Sequence, residues 1–166
     1  AIKNYFAEID KQKKAQNRYV HDTQKGIFGV SDVEIVFSFL KLLNIENKTF
    51  LDLGSGDGRV VILASLFCKA IGIESDEKLV AESKVHATKL NSNAEFLNQD
   101  YEEYNYKDID ILFCFADHFF NDKFIQKLQQ EFKGILFVYE GVFLPNAKKG
   151  KTYWVNQTPI ISYEFN

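Results

Sequence analysis

The chain has 166 residues, of which 46% are hydrophobic and 26% are charged, and its formal net charge is −3. This composition is typical of a folded globular protein and excludes a disordered one, and no apolar run reaches the roughly 20 residues that span a membrane. Outside residues 1–25 the chain holds 14 basic and 20 acidic residues. The acidity of this part of the chain argues against a nucleic-acid partner and favours a basic protein substrate.

Two sequence features bear on the compartment and on metals. Cys68 and Cys114 each lie within an apolar run, which predicts two buried free thiols in a reducing cytoplasm. The polar, charged N-terminus predicts no secretory signal, and we expect no membrane partner. No cluster of Cys and His has the spacing of metal ligands, so no metal is expected.

The hydrophobic pattern of the N-terminal part predicts two helices around a loop. Residues 2–17 place apolar side chains on one helical face, and residues 18–30 form a loop that glycines interrupt. A second helix is predicted from Ser31, because Ser31 and Glu34 have the spacing of a capping box. We interpret residues 1–45 as N-terminal helices with a lid-like loop.

From residue 46 onward, short apolar runs alternate with amphipathic segments. The predicted elements are strand 49–53, helix 58–68, strand 70–74, helix 76–90, strands 94–99 and 109–115, helix 119–132, strand 134–140 and a hairpin of strands 152–155 and 160–165. Near-continuous apolar strands are typical of a parallel sheet covered on both faces. The pattern predicts an α/β fold, a Rossmann-like three-layer sandwich whose mostly parallel sheet ends in an antiparallel hairpin. We expect one domain over residues 1–166, with the α/β core in 46–166.

A glycine-rich turn after the first of these strands is the most informative segment. A short apolar run ends in Asp52, and Gly54, Gly56 and Gly58 follow at alternate positions before a helix. Glycine accepts positive φ and lets a ligand approach the backbone closely. The third glycine of a dinucleotide fingerprint would stand where Arg59 is, and the Gly-Lys-Ser/Thr of a phosphate loop is absent.

The pattern Asp-x-Gly-x-Gly-x-Gly resembles motif I of the class I S-adenosylmethionine (SAM) methyltransferases. Glu74 ends the next predicted strand, where a carboxylate accepts both ribose hydroxyls in Rossmann folds. Asp100 follows the strand after that, and the resemblance implies that it lies near the adenine amino group. The resemblance thus implies the class I methyltransferase fold, S-adenosyl-L-methionine as the cofactor, and methyl transfer as the activity.

The resemblance also implies which residues bind the cofactor. They lie in the N-terminal loop, the glycine turn and the ends of the strands: Tyr19, Asp52, Gly54, Ser55, Gly56, Gly58, Glu74, Ser75, Asp100, Tyr101 and Phe115. Ligands bind at the carboxyl ends of the strands in open α/β sheets, so we expect these residues at one edge. Methyl transfer from a sulfonium depends mainly on orientation and requires no metal.

The acceptor site is expected at the same edge, after predicted strands 109–115 and 134–140. The candidates for orienting an acceptor amine or relaying its proton are Asp117, His118 and Glu140. Asp117 has an alternative role as the cap of the following helix. The Asn/Asp-Pro-Pro-Tyr/Phe of many methyltransferases that act on DNA bases or glutamine is absent there, so we expect no DNA partner.

A narrower resemblance is to the small, broad-specificity archaeal protein-lysine methyltransferases and their mitochondrial relatives. It rests on Tyr19-Val20, the helix from Ser31, Asp52 to Arg59, Gly72-Ile73-Glu74 and Glu140. His21-Asp22 departs from it, because that family has Pro-Thr there. The resemblance implies N-methylation of protein lysine side chains. Two alternatives remain open: methylation of a small metabolite or RNA, and a non-catalytic SAM-binding domain that supports a partner.

Overall fold

A computed structural model of the protein describes residues 1–18, 21–23, 26–115, 120–140 and 143–166; for residues 21–23 and 26–28 it describes the backbone alone. The helices are α1 (Ile2–Ala15), α2 (Val33–Leu42), α3 (Arg59–Ala64), α4 (Glu77–Lys89) and α5 (Asp122–Glu131). The strands are β1 (His21–Thr23), β2 (Gly26–Phe28), β3 (Thr49–Leu53), β4 (Lys69–Glu74), β5 (Glu95–Asn98), β6 (Ile111–Phe115), β7 (Gly134–Tyr139), β8 (Lys148–Val155) and β9 (Thr158–Phe165). A short 3₁₀ helix spans Tyr101–Glu103.

Seven of the strands form one sheet in the order β5-β4-β3-β6-β7-β9-β8. Strands β3 to β7 are parallel, whereas β9 runs antiparallel to both β7 and β8. The predicted Rossmann-like α/β fold with its C-terminal antiparallel hairpin is therefore confirmed. Strand β3 has β4 on one side and β6 on the other, so the winding of the sheet reverses beside it. Such a switch point is where ligands bind in open α/β sheets.

The sheet is covered on both faces by apolar side chains. On one face, the Phe39 ring of α2 lies 5.0 Å from Phe137 and 6.3 Å from Phe113, centroid to centroid. On the other face, Leu128 of α5 and Leu136 of β7 belong to a second buried cluster. Two apolar faces explain why the strands are nearly continuous apolar runs rather than alternating ones.

The N-terminal part differs from its prediction in two places. Helix α2 begins at Val33, two residues after the predicted start, because Asp32, not Ser31, accepts hydrogen bonds from the N–H groups of Glu34 (2.8 Å) and Ile35 (3.1 Å). The predicted capping box is therefore wrong. The segment predicted as a loop contains the antiparallel pair β1–β2, which is too short to show a hydrophobic period.

Two predicted helices are longer than the observed ones. Helix α5 was expected over 119–132 but begins at Asp122, where the Asn121 side chain accepts the Phe124 N–H at 2.7 Å. Asp117 is thus not the cap of α5. Helix α3 ends at Ala64 rather than at Cys68. Helix ends are set by local hydrogen bonds, and apolar period alone does not locate them.

The C-terminal hairpin is longer than predicted and carries a bulge in its edge strand, β8. The pairing of β8 with β9 shifts between Lys149 and Thr152. Ser162 of β9 secures the bulge: its hydroxyl accepts the Lys151 N–H at 2.8 Å and donates to the Lys151 carbonyl at 3.1 Å. A side chain at Gly150 would place its Cβ 2.5 Å from the Ser162 hydroxyl, so the bulge requires glycine.

Three further observations concern membranes, metals and thiols. Within the described ranges, no helix has the length and apolar character needed to cross a membrane. Nor do those residues bring together three His, Cys, Asp or Glu side chains that could hold a metal ion. Cys68 and Cys114 are not joined in a disulfide, and they are half-buried rather than fully buried as predicted.

Replacing Gly72 with alanine should destabilise the fold. A Cβ at Gly72 would lie 2.6 Å from the Ser55 hydroxyl and 2.9 Å from Phe96 Cδ1. Overpacking of this kind costs about 1–3 kcal/mol, which urea unfolding would measure. Gly29→Ala is the matched control, since a Cβ there meets nothing closer than 3.7 Å. Equal stability of the two variants would contradict the close packing at Gly72.

Candidate functional site

The glycine turn joins β3 to α3 in a backbone conformation that only glycine adopts easily. Gly54, Gly56 and Gly58 have φ values of 72°, 55° and 81°, in the left-handed region where a Cβ is strained. The N–H groups of Gly54 and Ser55 both donate to the Ile73 carbonyl of β4 at 2.9 Å. The turn is therefore anchored to the neighbouring strand.

The glycines of the turn face different surroundings. A Cβ at Gly54 would have no atom within 4 Å, so this residue borders open space. A Cβ at Gly58 would lie 2.7 Å from the Phe96 ring and 2.8 Å from Ser83 Cβ. Open space therefore borders the turn at Gly54, whereas Gly58 packs closely against β5 and α4.

Glu74, at the end of β4, is oriented by two backbone groups. Its Oε2 accepts the Gly56 N–H at 3.0 Å and its Oε1 accepts the Asp76 N–H at 2.9 Å. A carboxylate oxygen has two lone pairs, so each oxygen keeps one for a further donor. The half-buried carboxylate is thus fixed in place and can still accept the two hydroxyls of a ribose.

Ser55 carries a polar atom without a partner. Its side-chain oxygen is buried and is the one such atom for which the described part of the chain supplies no hydrogen bond. Buried polar groups are nearly always paired. The hydroxyl lies against Gly72 of β4, where a Cβ would come within 2.6 Å of it, so it is enclosed between the turn and the strand.

Asp52 is a buried carboxyl on β3, 4% exposed. Burial holds its pKa well above the usual range, and the negative charges of Glu74 and Asp57 raise it further. A cationic ligand group beside it would favour its ionised form.

The next strand end is arranged around Asn98 of β5. Its side-chain amide donates to the carbonyls of Glu74 (3.0 Å) and Ser75 (3.1 Å), which fixes the segment after β4. Asp100 is half-buried and accepts the Glu102 N–H at 3.0 Å as the cap of the 3₁₀ helix. Tyr101 stacks edge-on against Phe124 of α5, with ring centroids 5.0 Å apart.

The segment before α2 crosses the same edge of the sheet. A Cβ at Gly29 would lie 3.7 Å from the Phe115 ring at the end of β6. The Asp32 N–H donates to the Tyr139 hydroxyl at the end of β7 over 3.4 Å. The rings of Phe115 and Tyr139 are themselves 5.5 Å apart. Residues 29–32 therefore lie against the carboxyl ends of both strands.

Glu140, the predicted acceptor-site carboxylate, directly follows β7. It is exposed, and its φ of 63° is unusual for a residue with a side chain. Its N–H donates to the Pro159 carbonyl at 2.9 Å, which anchors the strand end to β9. Two other predicted catalytic residues, Asp117 and His118, and the predicted cofactor residue Tyr19 lie outside the described residues.

A buried ionic network beneath the turn is absent from the sequence prediction. Arg59 forms two hydrogen bonds with Asp57, Nε to Oδ1 at 3.0 Å and Nη2 to Oδ2 at 2.7 Å. It also forms two with Asp10 of α1, at 2.6 and 3.1 Å. Lys13 of α1 bridges Asp57 (2.9 Å) and Glu82 of α4 (2.7 Å). Charged residues of α1 thus form part of the interior.

The network sets the charge state of Asp57. Burial alone would raise the pKa of this carboxyl, but the adjacent cations Arg59 and Lys13 lower it to about 2. Asp57 and Asp52 are both buried acids, yet their pKa values move in opposite directions, because only Asp57 has cations beside it.

A sequence signal for the network exists in α1. Phe6, Asp10 and Lys13 are spaced four and three residues apart, so they share one helical face. Phe6 is fully buried. His86 of α4 is also buried, with its Nδ1 2.7 Å from the Tyr5 hydroxyl of α1.

Asp52→Asn should stabilise the protein increasingly as the pH rises. A carboxyl whose folded pKa is raised favours folding most below its unfolded pKa of about 3.9, and that contribution is lost as it ionises. Asparagine does not titrate, so the difference in unfolding free energy between variant and wild type should grow from pH 4 to pH 8. Chemical denaturation across this range measures it; parallel stability curves would contradict the prediction.

Asp57→Asn is the matched control of opposite sign. Its lowered pKa means that the ionised carboxylate stabilises the fold above pH 4, and the contribution is lost only as the pH falls toward 2. The variant should be less stable than wild type by about 3–5 kcal/mol at neutral pH, the usual cost of breaking a buried ion pair.

The comparisons with known proteins agree with this geometry. The family model described as the ANTKMT methyltransferase domain matches residues 52–143, more than half of the chain. No curated protein matches the sequence.

Among solved structures, the chain resembles an RNA methyltransferase from Salinibacter ruber in complex with S-adenosyl-L-homocysteine, with 22% identity, a TM-score of 0.64, and coverage of 87% of this chain and 94% of that one. It also resembles magnesium protoporphyrin IX methyltransferase from Synechocystis PCC 6803 with bound SAM, with 16% identity, a TM-score of 0.66, and coverage of 100% and 98%. A methyltransferase from Geobacter sulfurreducens gives 14% identity, a TM-score of 0.69, and coverage of 97% and 88%.

At such identities the likeness to solved structures shows the fold alone, whereas the family match covers the glycine turn and the strand ends that border the site. The resemblance to lysine methyltransferases is consistent with that match. The chain belongs to the ANTKMT methyltransferase-domain family and is a SAM-dependent methyltransferase with the class I fold.

Proposed function

We propose that the protein N-methylates lysine side chains of proteins. The observation that carries this proposal is Glu140, an exposed carboxylate at the carboxyl end of β7. It directly follows Tyr139, whose ring packs against Phe115. An exposed carboxylate at the ligand-binding edge of the sheet suits a lysine, since it pairs with the ammonium.

The residues for the cofactor are proposed from the same geometry. Glu74 would accept the ribose hydroxyls, and the turn at Gly54 would let the cofactor lie against the backbone. Ser75, Asp100 and Tyr101, around the end of β5, are proposed for the adenine. When bound, SAM supplies a methyl group that is already activated by its positive sulfur.

The chain's own residues have two tasks toward the acceptor. The first is orientation, because in-line displacement requires the amine to lie close to the methyl carbon and on the axis of its bond to sulfur. The second is deprotonation, since a lysine ammonium has no lone pair. A partly dry site lowers a lysine pKa. Glu140 is proposed to orient the amine, and Asp117 and His118 are proposed to share in relaying its proton.

Charge supports a protein acceptor that is basic. Outside residues 1–25 the chain has six more acidic than basic residues. An acidic surface raises the local concentration of a lysine-rich partner and speeds its association.

RNA is the second candidate acceptor. The edge strand β8 exposes Lys148, Lys149 and Lys151 together with Trp154, which is 68% exposed. Lysines and an exposed aromatic ring are the combination that binds single-stranded nucleic acid. Trp154 pairs with Pro159, the residue that accepts the Glu140 N–H, so it lies near the proposed acceptor site.

The test is transfer of a labelled methyl group from SAM into a lysate of the source organism, fractionated into protein, RNA and small molecules. Label recovered as methyl-lysine after acid hydrolysis of the protein fraction supports the proposal. Label in RNA or in small molecules would replace the acceptor and leave the cofactor unchanged. SAM binding without label in any fraction would favour a non-catalytic domain that supports a partner.

Glu140→Gln should lower turnover on the identified acceptor about ten- to hundred-fold, because the amide keeps the size but loses the charge that pairs with the amine. The SAM dissociation constant, measured by calorimetry, should stay within about twofold, since Glu140 does not belong to the proposed cofactor set. Glu95→Gln, at the start of β5 and exposed, is the matched control. Unchanged turnover in Glu140→Gln would mean that the acceptor site is elsewhere.

Glu74→Ala should weaken SAM binding by about 1.5–3 kcal/mol, roughly ten- to hundred-fold in the dissociation constant. The reason is the loss of a charged acceptor for the ribose hydroxyls. Glu77→Ala, an exposed residue in the first turn of α4, should bind as wild type does. If both variants bind SAM equally well, Glu74 is not the ribose ligand.

A further inference from the structure

We infer that α1 contributes to cofactor binding through two positioning residues, Asp10 and Lys13. Their contacts with Asp57 and Arg59 hold the glycine turn in the conformation that binds SAM. The inference depends on the SAM-dependent activity and not on the identity of the acceptor. It concerns affinity for the cofactor, which can be measured without any acceptor.

Every guanidinium N–H of Arg59 donates a hydrogen bond. Nε–H and one N–H of Nη2 donate to Asp57. The other N–H of Nη2 and one N–H of Nη1 donate to Asp10. The remaining Nη1 hydrogen points to the Ser31 carbonyl at 3.4 Å. All five guanidinium donors are thus used, and α1 supplies two of the five acceptor contacts. The guanidinium also lies 4.9 Å from the centre of the Phe6 ring of α1.

Asp57 stands between two glycines, both in left-handed backbone conformation. Gly56 and Gly58 restrict the backbone very little by themselves, so the turn needs contacts that select one conformation. The Asp57 carboxylate supplies them, since it is shared by Arg59 and Lys13 and is almost fully buried. Lys13 is 6% exposed and connects this carboxylate to Glu82 of α4.

Gly56 connects the turn to Glu74, the carboxylate proposed to accept the ribose hydroxyls. The Gly56 N–H donates to Glu74 Oε2 at 3.0 Å, and the Gly56 carbonyl accepts the Ser83 hydroxyl at 2.9 Å. Gly56 is bonded directly to Asp57 in the chain. A shift of Asp57 therefore moves an N–H that holds Glu74, and with it the acceptor of the ribose hydroxyls.

The test compares variants on the two faces of α1. Asp10→Asn and Lys13→Gln remove network charges, whereas Glu8→Gln and Lys11→Gln remove exposed charges from the same helix. Calorimetry with S-adenosylhomocysteine, well below the melting temperature of each full-length variant, gives the dissociation constant of the folded protein. We expect an increase of about three- to tenfold for the network variants and less than twofold for the controls. Lys13→Arg, which keeps the charge, should restore most of the affinity.

A purely structural role for α1 predicts a different result. Asp10→Asn and Lys13→Gln would then melt at lower temperature but bind S-adenosylhomocysteine as tightly as wild type, and that result would overturn the inference. If Asp10→Asn does not fold, Lys13→Gln decides alone, because it leaves the pairing of Arg59 with Asp10 in place.

A measurement on the wild-type chain is independent of folding defects. Coupling between two sites is reciprocal, so a ligand that needs the positioned turn must in return stabilise α1. Hydrogen–deuterium exchange in the α1 peptide should slow several-fold on addition of S-adenosylhomocysteine, with α5 as the internal reference. Unchanged exchange in α1 would overturn the inference.

Discussion

The buried pairing of Asp57 with Arg59 is the interaction on which the functional end of this structure depends. Asp57 lies in the glycine turn and Arg59 begins α3, and α1 brings Asp10 and Lys13 to them as further charged partners. A buried charge without its partner costs several kcal/mol. The ionic network therefore imposes one arrangement of three elements, α1, the turn and α4, whereas an apolar contact would allow neighbouring arrangements of similar energy.

The site itself contains several features that oppose stability. Three residues of the turn occupy left-handed backbone, burial raises the pKa of the Asp52 carboxyl, and the Ser55 hydroxyl has no hydrogen-bond partner among the described residues. Natural proteins keep such features where function requires them, and the surrounding structure compensates. The packing of the two apolar clusters on the sheet and the ionic network beneath the turn supply this compensating stability.

The sequence predicted the parts of the molecule that depend on local pattern. Strand β3 has its predicted bounds, and Glu74 ends β4 as expected, because a buried parallel strand is an apolar run that stops at a polar residue. The role of α1 was not predicted: Phe6, Asp10 and Lys13 share one helical face, but the charged partners of Asp10 and Lys13 lie at residues 57–82, far along the sequence. Caps were also missed, because Asp32 and Asn121 are selected by geometry over similar neighbours. The roles of the cofactor and acceptor residues, and the single-domain organisation, stay predictions.

The bulge in β8 limits how the edge of the sheet can pair with another chain. An edge strand offers unpaired N–H and C=O groups to any passing chain, and edge-to-edge pairing is a common route to aggregation. Here Gly150 and Lys151 interrupt the regular spacing of those groups, and Lys148, Lys149 and Lys151 place positive charge along the strand. A second copy approaching this edge would meet both a broken ladder and its own like charge. The same lysines that suggest a binding surface therefore also protect the sheet from extending itself.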